Sequence, residues 1–286
     1  MIIYGPTDLL IPIAVYLMLA LVFIISFSLY LKETQIGNKY FIRFFLKDLD
    51  KVYLPYLRHY FPFYNAMTDT NKMYFERRVQ QFIKMKEFIP RGGIAEVTPE
   101  MKALVAGSAI QLTFGYPAIY FRHFKRILIY PNDYYSTITR KYHKGEVNWR
   151  GIIVVSLSSL KEGFVDPADG HHLGLHEMAH ALRLINIVNN DEYDFYDRKT
   201  MEAFDRQAHL EMAKMLHGGK KASFFRNYSS TNLEEFFAVA VEAFFECSNE
   251  FREYSPELYS LLSKILKIDP IDIYRTGEVI RRKGRY

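Results

Sequence analysis

The stretch that decides both the fold and the chemistry of this sequence is His176-Glu177-Met178-Ala179-His180. Two histidines four positions apart lie on one face of an α-helix, about one turn from each other, so both imidazoles can reach the same metal ion. The glutamate beside the first histidine stands where a base for a metal-bound water is needed. The pattern is typical of a zinc site that still lacks its third protein ligand.

The flanking residues favour this interpretation over a chance match in an ordinary core helix. Apolar side chains recur near the helical period on both sides of the motif and predict a buried helix face. These apolar residues are Leu173, Leu175, Met178, Ala179, Leu182 and Ile185. Asp169-Gly170, just upstream, is the predicted helix start.

Composition sets the broad class of the protein. A chain of 286 residues, 49% of them hydrophobic, can bury a large core. The single cysteine, Cys247, excludes an internal disulfide framework and fits a reducing compartment. The net charge of +5 is not accompanied by a nucleic-acid-binding motif. We therefore expect no nucleic acid partner and interpret the charge as a basic surface that faces a membrane.

An N-terminal transmembrane helix is predicted at Leu9 to Leu31, a stretch without charged residues. As a helix it would be about 35 Å long, enough to cross the hydrocarbon core of a bilayer. A cleaved signal peptide is the alternative, but no basic region precedes the stretch. Lysines and arginines follow it and none precedes it, which predicts a single-pass membrane protein whose catalytic domain lies in the cytoplasm.

The chain is expected to divide into an anchor (residues 1–32), a basic and aromatic juxtamembrane connection (33–68) and one catalytic domain (69–286). The aromatic residues of the connection either lie on the lipid surface or pack on the domain. Within the domain, the patterns predict an α+β fold that is mainly helical and has a small β-sheet. The predicted helices cover residues 69–87, 98–114, 202–216 and 231–246, the predicted strands cover 126–130 and 152–156, and 134–149 is a hairpin-like excursion.

The third metal ligand is expected on the last of these helices. Thr231 and Glu234 form a Thr-x-x-Glu capping box, and an apolar helix follows to Glu246. A carboxylate buried in so apolar a segment must be paired or bound to a metal. Glu235 and Glu242 share a face, so one of them could be the ligand while the other accepts a hydrogen bond from a ligand histidine. Their spacing alone does not show which of the two glutamates is the ligand.

Three other histidines are weaker candidates. His209 lies on a predicted helix and is expected to be partly exposed. His171 and His172 directly precede the helix of the motif, where either could support a ligand, cap the helix or lie on the surface.

Several ordered motifs together resemble the Mlc titration factor A family of zinc-dependent peptidases, over roughly residues 50–270. The motifs are Ile152–Ser156, Glu162-Gly163 with Asp166–His171, Leu175–His180, and Glu235–Val239 with Glu242–Phe245. The resemblance implies a gluzincin-like, zincin-type domain related to that of anthrax lethal factor, with bound Zn²⁺ and aminopeptidase-type activity.

The resemblance also implies individual roles. By position, the zinc ligands would be His176, His180 and Glu235, and Glu177 would be the general base. The family has a tyrosine seven residues before its glutamate ligand, which corresponds here to Tyr228. Its phenol would donate a hydrogen bond to the oxyanion of the tetrahedral intermediate. The membrane stretch is not part of the soluble members of the family, and Arg183 replaces an acidic residue.

The sequence therefore predicts a membrane-anchored zinc metallopeptidase that hydrolyses peptide or protein substrates. The alternative is a membrane-tethered regulatory protein that captures a cytoplasmic partner, such as a transcription regulator, with little or no proteolysis. The intact Glu177 favours the enzyme, because a purely structural metal site does not need that carboxylate.

Overall fold

The computed structural model describes residues 15–27, 46–136, 140–188, 190, 192, 195–218, 224–225 and 227–279. The chain divides into two compact units, Met1–Leu46 and Lys47–Tyr286. All the residues of the predicted metal site lie in the second unit.

In the first unit, residues 15–27 are helical and their side chains are exposed. None of the helices in the described part of the chain combines the length and the apolar character needed to cross a bilayer. The predicted span Leu9–Leu31 extends past the described residues at both ends, so the transmembrane anchor stays a prediction.

The second unit is mainly helical with a small mixed sheet, as the sequence predicts. Its described α-helices span Leu54–Tyr60, Pro62–Asn65, Asp69–Met85, Pro99–Thr113, Leu157–Glu162, Leu173–Ile187, Arg198–Gly218, Leu233–Glu246, Ser248–Tyr254, Pro256–Leu266 and Pro270–Thr276, and a 3-10 helix spans Asn227–Ser230. Two helices carry the site. We call Leu173–Ile187 the HExxH helix and Leu233–Glu246 the glutamate helix.

The main sheet contains four strands, β1 (Glu87–Pro90), β2 (Arg126–Tyr130), β5 (Gly145–Asn148) and β6 (Ile152–Ser156). Their order across the sheet is β1-β2-β6-β5. The first three in this order are parallel, and β5 returns antiparallel to β6 as an edge strand. Both predicted strands are confirmed. The excursion between them contains a separate antiparallel pair, β3 (Tyr134–Ser136) with β4 (Lys141–His143), and then β5 itself.

Small residues let the HExxH helix lie directly against the helix Pro99–Thr113. That neighbouring helix begins where the sequence predicts, because the Thr98 hydroxyl accepts a hydrogen bond from the Met101 amide at 3.3 Å. A Cβ atom on Gly174 of the HExxH helix would lie 2.4 Å from the Ser108 hydroxyl oxygen. Glycine at this position therefore sets the distance between the two helices and fixes the HExxH helix in the core.

The two short helices that precede residue 69 belong to the second unit. Leu57 and Phe63 of these helices and Phe61 between them are buried, and the Phe63 ring meets Phe245 of the glutamate helix edge-on at 5.4 Å. Of the two interpretations offered for the aromatic residues of segment 33–68, the described part of that segment shows packing on the domain. Residues 33–45 lie outside the described part.

The predicted start of the HExxH helix at Asp169-Gly170 is wrong. The helix begins at Leu173, and His172 is its N-cap: the ring Nδ1 accepts a hydrogen bond from the Leu175 amide at 3.2 Å. Asp169 instead accepts a hydrogen bond from a backbone amide two residues later in the preceding loop, at 2.8 Å. An imidazole thus performs the capping function that the sequence assigns to a carboxylate.

The capping box predicted for the glutamate helix is also wrong. The N-cap is Asn232, whose side-chain oxygen accepts a hydrogen bond from the Glu235 amide at 2.9 Å. Glu234 does not fold back on the helix start, because its carboxylate pairs with Arg183 at 3.0 Å. The ion pair with Arg183 of the neighbouring helix therefore replaces the predicted capping contact of Glu234.

Candidate metal centre

The HExxH helix presents two imidazoles side by side. His176 and His180 are one helical turn apart, and their Nε2 atoms are 3.1 Å from each other. The opposite face of the helix is buried by the apolar residues that the sequence predicts, which fixes the direction in which both rings point. Two potential ligand atoms therefore converge on one point.

The glutamate helix supplies a third donor from its first turn. Oε2 of Glu235 lies 3.3 Å from Nε2 of His176 and 3.6 Å from Nε2 of His180. This oxygen is buried, and no donor within the described residues reaches it in hydrogen-bond geometry. A buried carboxylate oxygen without a donor is costly unless a cation satisfies it.

The three side chains fit a metal ion. All three ligand atoms lie within 4.8 Å of one another. Nitrogen atoms bound 2.0–2.1 Å from a tetrahedral zinc ion lie roughly 3.3 Å apart, and the observed separations of 3.1, 3.3 and 3.6 Å are close to this value. Two imidazoles with one carboxylate is also a donor set of catalytic zinc sites, which keep a fourth position open.

Glu242 lies behind His176 rather than beside the other two donors. Its side chain is only 2% exposed, and its Oε1 is 2.7 Å from Nδ1 of His176. Its Oε2 accepts a hydrogen bond from the His172 backbone amide, also at 2.7 Å. Because a carboxylate accepts, Nδ1 of His176 carries a hydrogen, and the ring is held with Nε2 toward Glu235. Of the two open alternatives, the geometry gives Glu242 the supporting position.

His172 acts in the same contact between the two helices. Its side chain is buried against Phe164, with ring centroids 4.3 Å apart, and burial lowers the pKa of His172 to about 4. The neutral ring is the form that can accept the capping hydrogen bond at Nδ1. His172 thus fixes the start of the HExxH helix one turn before the first candidate ligand.

The charges of the candidate ligands are strongly coupled when no metal is present. Burial alone would lower the pKa of His176, but its contacts with Glu235 and Glu242 outweigh burial and raise this pKa to about 10. Burial alone would raise the pKa of Glu235, whereas His176 and His180 hold it well below its usual range. In the absence of a metal ion, the two carboxylates therefore favour the protonated form of His176.

Glu177 is buried beside this group, with 5% of its surface exposed. Within the described residues no hydrogen bond or ion pair engages its carboxylate. Burial raises the pKa of Glu177, the nearby His176 and His180 oppose that rise, and the charge of Glu235 adds to it. Gly145 of the edge strand β5 lies directly against the carboxylate: a Cβ atom there would be 2.3 Å from Oε1.

Two of the other candidate histidines, His209 and His171, are not among the three donors. His209 is exposed on the helix Arg198–Gly218, as expected. His171 lies in the loop before the HExxH helix, where its backbone amide donates to Asp169. The backbone of Tyr228 lies in the 3-10 helix, but its side chain is outside the described part of the structure. Its role as an oxyanion donor stays a prediction.

Arg183 links the HExxH helix to two neighbouring helices. Its guanidinium pairs with Glu234 at 3.0 Å and with Asp205 at 3.2 Å, and it lies over the Phe237 ring at 5.2 Å. Arg183 therefore forms an ion-paired link between helices and is not among the three candidate metal donors.

Sequence patterns did not indicate the part that β5 plays in the site. Gly145 lies inside a strand, and a glycine in a strand often marks a close approach of another group. That signal could have pointed to this residue. Its partner Glu177 could not be identified from spacing, because the contact joins two separate elements.

Comparison with known proteins agrees with the geometry. The chain is 23% identical over 224 residues to the uncharacterized protein slr2042 of a Synechocystis strain, covering 73% of this chain and 81% of that protein. It is 25% identical over 211 residues to Mlc titration factor A of Serratia proteamaculans, covering 67% of this chain and 78% of that protein. Residues 45–267 match the model of the glucose-regulated metallo-peptidase M90 family. The chain therefore belongs to the M90 family of metallopeptidases, and the predicted resemblance is confirmed.

Proposed function

We propose that the protein is a zinc-dependent peptidase that hydrolyses peptide bonds in an aminopeptidase-like manner. The observation that supports this most strongly is the carboxylate of Glu177, which is buried next to the three donors and is engaged by no other described group. A metal site with a purely structural role has no use for such a carboxylate. Catalysis requires it.

His176, His180 and Glu235 would hold the zinc ion, and Glu242 would keep His176 in the binding orientation. When bound, zinc would supply a Lewis acid that favours attack by water on the carbonyl carbon. Glu177 takes the proton of the attacking water at its carboxylate and passes it to the leaving amine. Its raised pKa suits both steps, because a general base works best near the pH of the reaction. Tyr228 would donate to the developing oxyanion.

The edge strand β5 supports a peptide as the substrate. It is the last strand of the sheet, and Gly145 brings its backbone directly against Glu177. An extended peptide can add to such an edge through backbone hydrogen bonds, which would place a peptide bond beside the base. We further propose that the N-terminal stretch anchors the protein in a membrane with the catalytic unit in the cytoplasm, as the charge asymmetry predicts.

The test is an unbiased peptide-library digest by the full-length protein, comparing wild type with Glu177→Gln. We expect both proteins to bind one zinc ion, because Glu177 is not among the donors. The rate of cleavage should fall by about 10²–10⁴-fold in the variant, the usual contribution of a general base. Unchanged cleavage by the variant would show that Glu177 is not the base.

A regulatory role is the second candidate, and the name of the Serratia relative, a titration factor for Mlc, favours it. In this case the metal site would organise a surface that captures a protein partner. Isolation of one stoichiometric cytoplasmic partner, together with no cleavage of any library peptide, would favour capture over catalysis.

A further inference from the structure

The excursion between strands β2 and β6 carries the most exposed aromatic side chains of the second unit. Among the residues described there, three aromatic side chains are more than half exposed: Tyr135 at 53%, Tyr142 at 75% and Trp149 at 69%. Scattered exposed apolar residues are normal on a protein surface, but exposed apolar residues that adjoin one another mark an interaction surface. The excursion is therefore a candidate contact region that the proposed chemistry does not use.

Two of these rings are neighbours on the outer face of the β3–β4 hairpin. Tyr135 and Tyr142 pair across the two strands, and their ring centroids are 5.4 Å apart. The adjacent pair, Tyr134 and His143, points to the opposite face, because side chains alternate along a strand. On that face the Tyr134 ring stacks on Tyr130 of the main sheet at 4.7 Å. The hairpin thus packs with one face and leaves the tyrosine pair on the other.

The turn end of the hairpin is positively charged. Arg140 and Lys141 directly precede Tyr142, and both are exposed. Neither side chain forms an ion pair with a carboxylate in the described part of the chain. The next carboxylate along the sequence, Glu146, lies on the packed side, where it accepts a hydrogen bond from the Tyr134 hydroxyl at 3.2 Å. The exposed surface of the hairpin therefore combines two aromatic rings with two available cations.

A membrane surface that contains anionic lipids fits this combination of groups. Tyrosine is enriched at the headgroup level of a bilayer, where its apolar ring and its polar hydroxyl are both accommodated. Arginine and lysine are attracted by the negative potential of such a surface. An acidic protein partner is the competing occupant. The proposed membrane anchor favours the lipid surface, because a tethered domain is held at high effective concentration beside it.

We propose that the exposed surface of the β3–β4 hairpin, formed by Tyr135, Tyr142, Arg140 and Lys141, docks on an anionic lipid surface. The inference rests on the membrane anchorage proposed above and names the part of the second unit that contacts the same membrane. The tyrosine rings enter the headgroup region, and the two cations pair with lipid phosphate and carboxylate groups. Docking of this kind is reversible and depends on salt.

The test uses tryptophan as a depth reporter in the full-length protein, reconstituted into lipid vesicles. Trp149→Phe removes the single tryptophan of the chain, and Tyr142→Trp then places one at the proposed contact. Lipids that carry bromine on their acyl chains quench a tryptophan that enters the bilayer interface. We expect quenching in vesicles of phosphatidylcholine mixed with phosphatidylserine and little in phosphatidylcholine alone. The matched reporter is Leu210→Trp, on an exposed position of the helix Arg198–Gly218, which should not be quenched in either.

A charge variant tests the role of the two cations. Arg140→Gln together with Lys141→Gln, in the reporter background, should lower the docking equilibrium constant about 30-fold, since each basic residue near an anionic surface contributes roughly fivefold. Lys199→Gln together with Arg206→Gln is the matched control. It removes the same charge from exposed positions on the helix Arg198–Gly218 and should leave docking unchanged.

Three results would overturn the inference. They are equal quenching of Tyr142→Trp in neutral and anionic vesicles, quenching that survives loss of both cations, and no quenching in any vesicle. The last result is the one expected if an acidic protein is the occupant. If Tyr142→Trp does not fold, as judged by circular dichroism, Tyr135→Trp on the same face gives the second reporter with the same expected results.

Failure of the inference and failure of the proposed anchor give different results. Extraction of the vesicles with alkaline carbonate tests the anchor alone. If the protein is extracted but the reporter is quenched before extraction, the anchor fails and hairpin docking stands. If the protein resists extraction and the reporter is not quenched, the anchor stands and the inference fails. Peptide cleavage, measured on the same samples, reports the peptidase function separately.

Discussion

The first and third turns of the glutamate helix each present a carboxylate to the HExxH helix, and their surroundings differ. Glu235, in the first turn, is 17% exposed and its Oε2 has no hydrogen-bond donor among the described residues. Glu242 is 2% exposed, and its two oxygens contact the His172 amide and the ring of His176. Two residues of the same type on one helix face thus differ in whether hydrogen bonds already satisfy them. Hydrogen-bond satisfaction, rather than burial, is therefore the difference between the proposed ligand Glu235 and the proposed supporting residue Glu242.

The largest effect is expected from Glu235→Ala. The variant removes one of three donors, so we expect bound zinc and peptide cleavage both to be lost at ordinary zinc concentrations. Metal content after dialysis, measured by atomic emission, and cleavage of a library-derived peptide check this. Normal zinc content in Glu235→Ala would show that Glu242 is the metal ligand and that Glu235 is not.

Gly145→Ala tests the other side of the site, where β5 meets Glu177. The new Cβ atom would lie 2.3 Å from Oε1, so either the strand or the base must shift. A shift of about 1 Å at a catalytic group can lower the rate by on the order of 10²-fold, and we expect that loss with zinc content unchanged. Val147→Ala, on the same strand, is the control for general weakening of the edge. Wild-type kcat/KM in Gly145→Ala would show that the contact is unimportant.

Glu242→Gln should have a smaller effect of a different kind. The amide can still accept one of the two hydrogen bonds, but it holds His176 less firmly, so zinc affinity should fall about 10–100-fold. Excess zinc should then restore most of the activity, which it should not do for Glu235→Ala. The matched control is Glu234→Gln, because Glu234 is half exposed and pairs with Arg183 rather than with a candidate metal ligand. It should keep wild-type zinc affinity and change stability by less than about 1 kcal/mol.

Proton release on zinc binding tests, without a mutation, how strongly Glu235 and Glu242 raise the pKa of His176. The raised pKa of His176, about 10, means that the metal-free site holds a proton at neutral pH, and a metal must displace it. Calorimetry in buffers of different ionisation enthalpy should show release of roughly one proton per zinc at pH 8. Zinc affinity should rise with pH up to about 10. Release of no proton would contradict the coupling between His176 and the two carboxylates.

The stability of the metal-free protein should show two opposing effects of pH. His176, whose pKa is raised on folding, stabilises the folded state below about pH 6.5, and this contribution is lost as pH rises through about 10. His172, whose pKa is lowered to about 4, has the opposite sign: its contribution is present above about pH 6.5 and is lost as pH falls toward 4.

Much of the site could be predicted from the sequence because its chemistry depends on local spacing. The motif His176–His180 sets both imidazoles on one helix face, and the apolar residues around it predict the buried side correctly. The choice between Glu235 and Glu242 could not be made in this way. Seven residues are nearly two helical turns, so both point in almost the same direction. Which of the two carboxylates lies beside the Nε2 atoms of the histidines depends on how far the glutamate helix is displaced along the HExxH helix.

The features that the sequence did not predict all join separate elements. Glu234 leaves its predicted capping role because Arg183 lies on the neighbouring HExxH helix. Gly145 approaches Glu177 because β5 returns antiparallel at the edge of the sheet, and a local pattern does not specify how a strand pairs. Tertiary contacts therefore decide these positions, whereas the helical periodicity of the apolar residues predicts where the helices lie.

The central claim is that His176, His180 and Glu235 together hold a catalytic zinc ion. The most direct test is a crystal structure of the zinc-loaded protein with anomalous diffraction data collected at the zinc absorption edge. We predict a single strong peak bound by Nε2 of both histidines and by the Glu235 carboxylate, with Glu177 beside it but not bound. A peak bound to Glu242, or no peak between the two histidines, would contradict the account.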